Sequence, residues 1–400
     1  MLLGTTAEGP VRGRRVAITG IGVVSCCGIG PDAFWEGLLG AAPEGEHRVA
    51  GFDPTEWFGP KEARRVDRFT QFSVAAADMA RDDAGDLSPD PDRAGVVFAT
   101  GVGGLESLEE QSVVFQEKGP RRISPFLIPM MMPNAGAATV SMRAGWHGPC
   151  ETVATACAAG THAVGHAARL VATGRCDVAI GGGSEAAMTP LGIAAFTNMT
   201  ALSSEGISRP FDARRDGFIV AEGAAALVLE DLDHARRRNA RIYGEVLGAA
   251  STADAHHITA PAPGGSGAAA CMELALADAE LEPEHIGHIN AHGTSTPLND
   301  LAEAQAIAKV FGTPGPPVTS VKGVTGHALG GAGAIEAVSV VLSIDRGLIP
   351  PTAGYGEPDP EIPLDVVHGG PRQWEPGPTL SNSFGFGGHN GCLVISPLRD

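Results

Sequence analysis

A chain of 400 residues with 43% hydrophobic and 18% charged side chains can bury a large core, which excludes a disordered tail or a coiled coil. Its formal net charge of −18 argues against nucleic acid or an anionic membrane as partner, because both call for clustered basic residues. No basic-then-apolar leader pattern and no apolar stretch of bilayer length is present, so a cytoplasmic protein is expected.

In chain order, residues 1–13 read as a loose arm, and the β-branched run from Arg15 to Gly22 closes on glycines as a buried first strand. Further short apolar runs lie at 94–100, 178–182, 224–230, 286–291, 317–321, 378–382 and 391–395. Helical patterns alternate with them at 69–84, 161–173, 267–279, 300–311 and 331–347. Such alternation predicts an α/β body with helices packed on sheets. The charged segment 231–241 divides the chain, and a strand-to-helix passage on each side of it (Thr155 to Gly160, and Thr325 to Gly333) is consistent with an internal duplication. Seven cysteines without framework spacing read as reduced thiols, and Cys26-Cys27 has no metal-knuckle spacing, so no metal is expected.

Cys157 lies in Ala154-Thr155-Ala156-Cys157-Ala158-Ala159-Gly160, between a short strand at 151–155 and a helix at 161–171. A helix start presents N–H groups and a positive dipole end to the sulfur, which favours thiolate, while small neighbours admit a substrate carbonyl. Read alone, the same thiol fits a small core residue equally well.

Three later runs complete a pattern. Asn290-Ala291-His292-Gly293-Thr294-Ser295-Thr296 places a histidine at a strand end, and Thr294 and Thr296 alternate so as to hydrogen-bond an extended polar arm; a helix cap is expected at Asp300. The run from Ser320 to Glu336 places Lys322 and Glu336 as an ion pair beside His327, or as a purely structural pair in a glycine-packed helix. It lacks the spacing of a phosphate-cradling loop. The run from Leu380 to Asn390 holds Phe384 and Phe386 among glycines, either as core aromatics or as a loop offering an N–H to an oxyanion and an aromatic gate.

In this order and spacing the four runs resemble the β-ketoacyl-ACP synthase family of condensing enzymes, most nearly its elongating synthase II branch, and are similar to type II polyketide ketosynthases. The likeness runs from about Arg15 to Ile395 and includes Arg209-Pro210-Phe211-Asp212, Arg215-Asp216-Gly217-Phe218 and Ala221-Glu222-Gly223. It implies a thiolase-like five-layer αβαβα fold of two duplicated halves, 14–240 with the nucleophile and 241–400 with both histidines and the phenylalanine gate. It implies that Cys157 carries the acyl group, His292 and His327 hold the malonyl carbonyl, and Lys322 supports them with Glu336. Phe386 would be the gate, and its N–H would join that of Cys157 in an oxyanion hole. Thr294, Thr296, Phe384 and Glu336 would contact substrate, the two threonines on its phosphopantetheine arm; Leu108 would bound the acyl pocket, with Phe126 and Met130 to Met132 lining it across the dimer.

No cofactor is implied beyond the phosphopantetheine of acyl carrier protein. Lys61, Arg64, Arg65, Arg68, Arg121 and Arg122 are the candidate docking cations for that acidic carrier, with Glu205 standing where a basic residue is common. The expected reaction is decarboxylative condensation of malonyl carrier with acyl-Cys157 in fatty-acid elongation. A polyketide-pathway ketosynthase is the alternative, and a non-catalytic dimer partner the alternative of another class. A homodimer is expected, or a heterodimer with a chain-length-factor-like partner. A thiolase would place a second cysteine near the C-terminus as acid/base, whereas Cys392 sits inside a strand-like run; an initiating synthase would have Asn at His327.

Overall fold

Strand β1, Val16–Ser25, is the seam of the molecule, and its glycines set how closely a helix approaches it. In the computed structural model, which describes residues 13–43 and 45–399 with the backbone of 5–6 and 9–10, helix α1 (Arg68–Ala84) lies across this strand. A Cβ on Gly20 or Gly22 would collide with the carbonyls of Ala80 or Ala76, so helix and strand touch backbone to backbone. The alternate residues Ile21 and Val23 face the opposite side, into the main core. The arm expected over 1–13 lies almost wholly outside the described residues.

Four strands follow in the first half: β2 Ala94–Ala99, β3 Cys150–Val153, β4 Val178–Glu185 and β5 Gly223–Asp231. Between them run α2 Leu105–Lys118, α3 Ala135–Ala144, α4 Ala159–Ala172 and α5 Pro190–Asn198. The sheet order is β1-β5-β4-β2-β3, antiparallel for its first two pairings and parallel for the last two.

The second half repeats this plan with β6 Gly244–Ala253, β7 His288–Asn290, β8 Val318–Thr319, β9 Thr379–Gly385 and β10 His389–Ser396. Its order is β6-β10-β9-β7-β8, with the same two antiparallel and two parallel pairings. Both halves therefore follow the permutation first-fifth-fourth-second-third, which is the duplication in topological form. The two first strands pair antiparallel, Val16 opposite Val246.

Helices α6 (Ser266–Ala279), α7 (Pro297–Phe311) and α8 (Ala332–Arg346) complete the second half. Helices α4 and α8, each following the third strand of its half, pack on one another and touch strands of both halves. Every residue of α8 from Ala332 to Ile344 is buried, as befits a helix with protein on all sides. With α1 and α3 outside the first sheet and α6 and α7 outside the second, the layers run α, β, α, β, α.

The predicted strands and helices are present, with shifted ends. The strand expected over 286–291 contracts to His288–Asn290. Helix α7 begins at Pro297, not at Asp300: proline suits the first turn, Thr296 is the cap residue, and the Asp300 carboxylate instead accepts from Ser295 N and Phe211 N.

Gly22→Ala is expected to destabilise the protein by about 1–3 kcal/mol in urea unfolding, because the added methyl forces β1 from α1. Wild-type stability in that variant would refute the backbone contact.

Candidate active site

The site arises where the third-strand turns of the two halves meet. After β3 the chain makes a 3-10 turn, Ala156–Ala158, before α4; after β8, and the short helix Lys322–Thr325, it makes the same turn, Leu329–Gly331, before α8. The first residue of each turn has positive φ, Ala156 at 49° and Leu329 at 43°, an uncommon conformation for a residue with a side chain. Cys157 and Gly330 are thus equivalent positions.

Glycines bring the turns together. A Cβ on Gly160 would lie 2.6 Å from Ala334 N, and one on Gly331 would lie 3.2 Å from Ser184 Cα. Backbone contact at this seam sets the thiol of one half against the histidines of the other.

Cys157, His292, His327, Phe384 and Phe386 line one cavity of about 400 Å3, with Thr294 and Thr296 farther along its wall. The threonine hydroxyls are 2.9 Å apart. Leu329 and Phe218 belong both to the cavity and to the apolar cluster around Cys157.

Two imidazoles stand edge to face, centroids 5.4 Å apart. His327 is held through its backbone, His327 N to Ile219 O at 2.7 Å and Ala221 N to His327 O at 3.0 Å, and neither ring nitrogen has a protein partner. His292 N and Gly293 N donate to the two oxygens of buried Glu303, at 2.8 and 2.7 Å.

Behind His292 sits Lys322, 1% exposed, donating to His292 O at 2.6 Å and to Glu336, with Nζ 3.4 Å from His292 Nδ1. A donor facing Nδ1 makes that nitrogen the acceptor and leaves the ring proton on Nε2. Burial, and after it the Lys322 charge, hold both histidines well below the ordinary imidazole range, so both are neutral rings. Burial pushes Glu336 up to about 7 although Lys322 pulls the other way.

The backbone N–H groups of Phe386 and of Cys157 itself favour the charged form of the sulfur. Gly385 permits this, since a Cβ there would lie 3.0 Å from Cys157 N. The loop Phe386 to Gly388 joins β9 to β10, with Gly387 N bound to Ile258 O at 2.7 Å.

Burial pushes the resting Cys157 thiol up to about 11, against the pull of the Phe386 N–H and Lys322. The thiolate expected from the helix start is therefore outweighed by desolvation in the free enzyme. Cys392 is buried in another cluster, its thiol donating to Asn382 Oδ1 at 3.2 Å, and does not line the cavity.

Several expected residues stand elsewhere. Leu108 is 40% exposed on α2 and does not line this chain's cavity; Phe126 and Met130 to Met132, expected to reach a pocket across the dimer, lie outside the cavity of their own chain. Lys322 and Glu336 lie behind the wall, so Glu336 is a support for Lys322 and not a substrate contact. Arg68 turns inward to Glu222 at 2.6 and 2.9 Å, which removes it from the docking set. Lys61, Arg64, Arg65, Arg121 and Arg122 are exposed, and Arg65 over the Phe126 ring (4.7 Å) links the two basic clusters. Glu205 pairs with Arg209 at 2.6 Å.

Sequence reasoning missed the buried carboxylates Glu185 and Glu303. Nothing local marks them; their positions at a strand end and on a helix face give no sign of the loops they bind.

Ring-proton NMR titration is expected to find His292 and His327 neutral at about pH 6, where a free imidazole is mostly charged. Midpoints near 6.5 would refute the buried, neutral assignment.

The model of the beta-ketoacyl synthase N-terminal domain matches residues 44–235, and that of the C-terminal domain matches residues 243–356. A 3-oxoacyl-(acyl-carrier-protein) synthase 2 of Synechocystis is 44% identical over 96% of this chain and 99% of that protein. The protein of the same name from Staphylococcus aureus strain COL is 41% identical over 96% and 99%. Among solved structures, the ishigamide ketosynthase/chain length factor superposes with TM-score 0.91 at 35% identity, covering 96% of this chain and 99% of that one. A type II PKS acyl-carrier protein in complex with its ketosynthase bound to the hexaketide gives 0.88 at 32%, covering 96% and 100%. With both halves matched and nearly full-length relatives above 40% identity, the chain belongs to the β-ketoacyl synthase family of thiolase-fold condensing acyltransferases.

Proposed function

We propose that this enzyme condenses malonyl-acyl carrier protein with an acyl group held on Cys157, releasing carbon dioxide and 3-oxoacyl carrier protein in fatty-acid elongation. The observation that carries this reading is the convergence of one thiol, two neutral imidazoles and the Phe386 loop on a single cavity.

In the first half-reaction Cys157 sulfur attacks the thioester carbonyl of an acyl-pantetheine arm extended past Thr294 and Thr296. The tetrahedral oxygen takes the N–H groups of Cys157 and Phe386. The proton lost by Cys157 leaves with the pantetheine thiol, so the exchange is proton-neutral and needs no standing thiolate. One S–acyl bond forms as another breaks.

In the second, the malonyl thioester oxygen lies between His292 Nε2–H and the unpartnered His327 ring. The carboxylate leaves as carbon dioxide, and its electron pair passes to the enolate. Neutral donors hold that oxygen as charge develops, and one fixed donor contributes roughly 2.7–4 kcal/mol. The enolate carbon then attacks the acyl-Cys157 carbonyl, the same N–H pair receives the second oxyanion, and the Cys157 sulfur is expelled as a thiolate, which takes up one proton from solvent to return to the resting thiol.

The exposed Lys61, Arg64, Arg65, Arg121 and Arg122 are proposed to meet the acidic carrier. A homodimer is supported by β3, which among the described residues is an edge strand bonded to β2 alone, and by the exposed apolar side chains Val113, Phe115, Phe126, Ile128 and Met132 of the same half. A cytoplasmic location fits free thiols and, among the described residues, the absence of any helix long and apolar enough to cross a membrane. A polyketide-pathway ketosynthase would use the same chemistry, a reading favoured by the superposition on the ishigamide and hexaketide-bound ketosynthases.

Cys157→Ala is expected to abolish the acyl adduct seen by intact mass and to lower carrier-dependent condensation by roughly a thousandfold or more. Unimpaired condensation would disprove the nucleophile assignment. His327→Ala is expected to slow malonyl decarboxylation by about 100- to 1,000-fold while acyl-Cys157 still forms; rapid carbon dioxide release by that variant would remove His327 from the mechanism.

A further inference from the structure

Glu185 ends β4 with its carboxylate fully buried, and no step above uses it. Four donors from both halves converge on it. Thr100 Oγ1 (3.0 Å) and Val102 N (3.4 Å) donate to Oε1; Gly101 N (2.7 Å) and Gly330 N (3.1 Å) donate to Oε2. Among the described residues no cation pairs with this charge: its partners are backbone amides and one hydroxyl. Burial pushes the carboxyl up to about 7 against those donors, so the fold spends stability to keep it there.

The clamped segments lead to the apolar cluster around Cys157. The Thr100 to Val102 segment leads through Gly103 and Gly104, the latter bound to Met131 O at 3.1 Å, into Leu105, which packs on the Cys157 cluster. Gly330 directly follows Leu329, which lines the cavity and belongs to that cluster. A Cβ on Gly330 would collide with Gly101 N, so the two segments meet with no side chain between them. By contrast His292 depends on Glu303, Lys322 on Glu336, and His327 on the backbone of Ile219 and Ala221.

We infer that Glu185 is a positioning residue for acyl transfer, clamping the Thr100–Val102 and Leu329–Gly330 segments as the two walls of the acyl site beside Cys157. The inference rests on Cys157 as acyl carrier, but it assigns a residue to one half-reaction only. A carboxylate accepts along every direction the two loops present; an amide would turn a donor toward one of their N–H groups and part the walls.

The test is Glu185→Gln in the full chain, with the half-reactions measured separately. Acyl-Cys157 formation from acyl carrier protein is followed by intact mass, and carbon dioxide release by the malonyl carrier alone. Acyl transfer is expected to slow roughly 10- to 100-fold, with decarboxylation within about twofold of wild type. Removing a negative charge beside the sulfur should also move the pH profile of Cys157 alkylation to lower pH. If Glu185→Gln does not fold, Glu185→Asp, which keeps the charge but withdraws it by one methylene, is expected to show the same split between half-reactions. Parallel loss of both half-reactions or unchanged acyl transfer in either variant, or an unmoved alkylation profile in Glu185→Gln, would each overturn the proposal. Absence of an acyl adduct on the wild-type enzyme would instead overturn the reading of Cys157 and is distinguished by that control.

Discussion

Everything at this site depends on how closely two strand-to-helix turns can approach. Helices α4 and α8 begin in contact, with Gly160 against Ala334 and Gly333 against Thr161, and a side chain at either glycine would part them. Close-packed interiors do not absorb such an insertion by small compensations, because neighbouring backbone cannot retreat without moving its sheet. The contact sets a thiol delivered by the first half opposite histidines delivered by the second. Cys157 and His327 are 170 positions apart in sequence and share one cavity wall because of it.

Duplication explains why such a seam exists. Each half supplies the same five-strand order, the same inner helix and the same strained turn before that helix. Chemistry breaks the symmetry. The first turn carries Cys157, and the equivalent place in the second is Gly330, where backbone contact with Gly101 leaves no room for a side chain. The second half instead offers His292 and His327 from the segments before its inner helix, so one turn became the seat of the thiol and the other its wall.

Burial governs the electrostatics. Three buried carboxylates, Glu185, Glu303 and Glu336, each pushed up to about 7 by burial, are spent on loops and on Lys322 rather than on substrate. The imidazoles, buried near a lysine, stay neutral and donate without carrying charge, while the resting thiol stays protonated. A protonated thiol is no obstacle when the leaving group is another thiol, since the proton only changes sulfur. Neutral donors also avoid stabilising the malonyl carboxylate that must depart, leaving their effect to the oxyanion.

The sequence by itself determined the alternation of strands and helices, because apolar runs bounded by glycine carry their period locally. It also singled out Cys157, His292, His327, Lys322 and Phe386, since each sits in a short distinctive run. Tertiary structure alone decided which groups face the cavity. Lys322 and Glu336 passed behind the wall, Leu108 came out on an exposed helix, and Arg68 turned inward to Glu222; these outcomes depend on partners more than 150 residues away in the case of Arg68 and on helix rotation in the case of Leu108. It decided the protonation of the thiol as well, since a helix start is visible in sequence but the depth at which the sulfur is buried is not. The loop-binding roles of Glu185 and Glu303 were illegible for the same reason: a carboxylate's partners are fixed by where distant backbone N–H groups arrive, and only the folded seam brings them there.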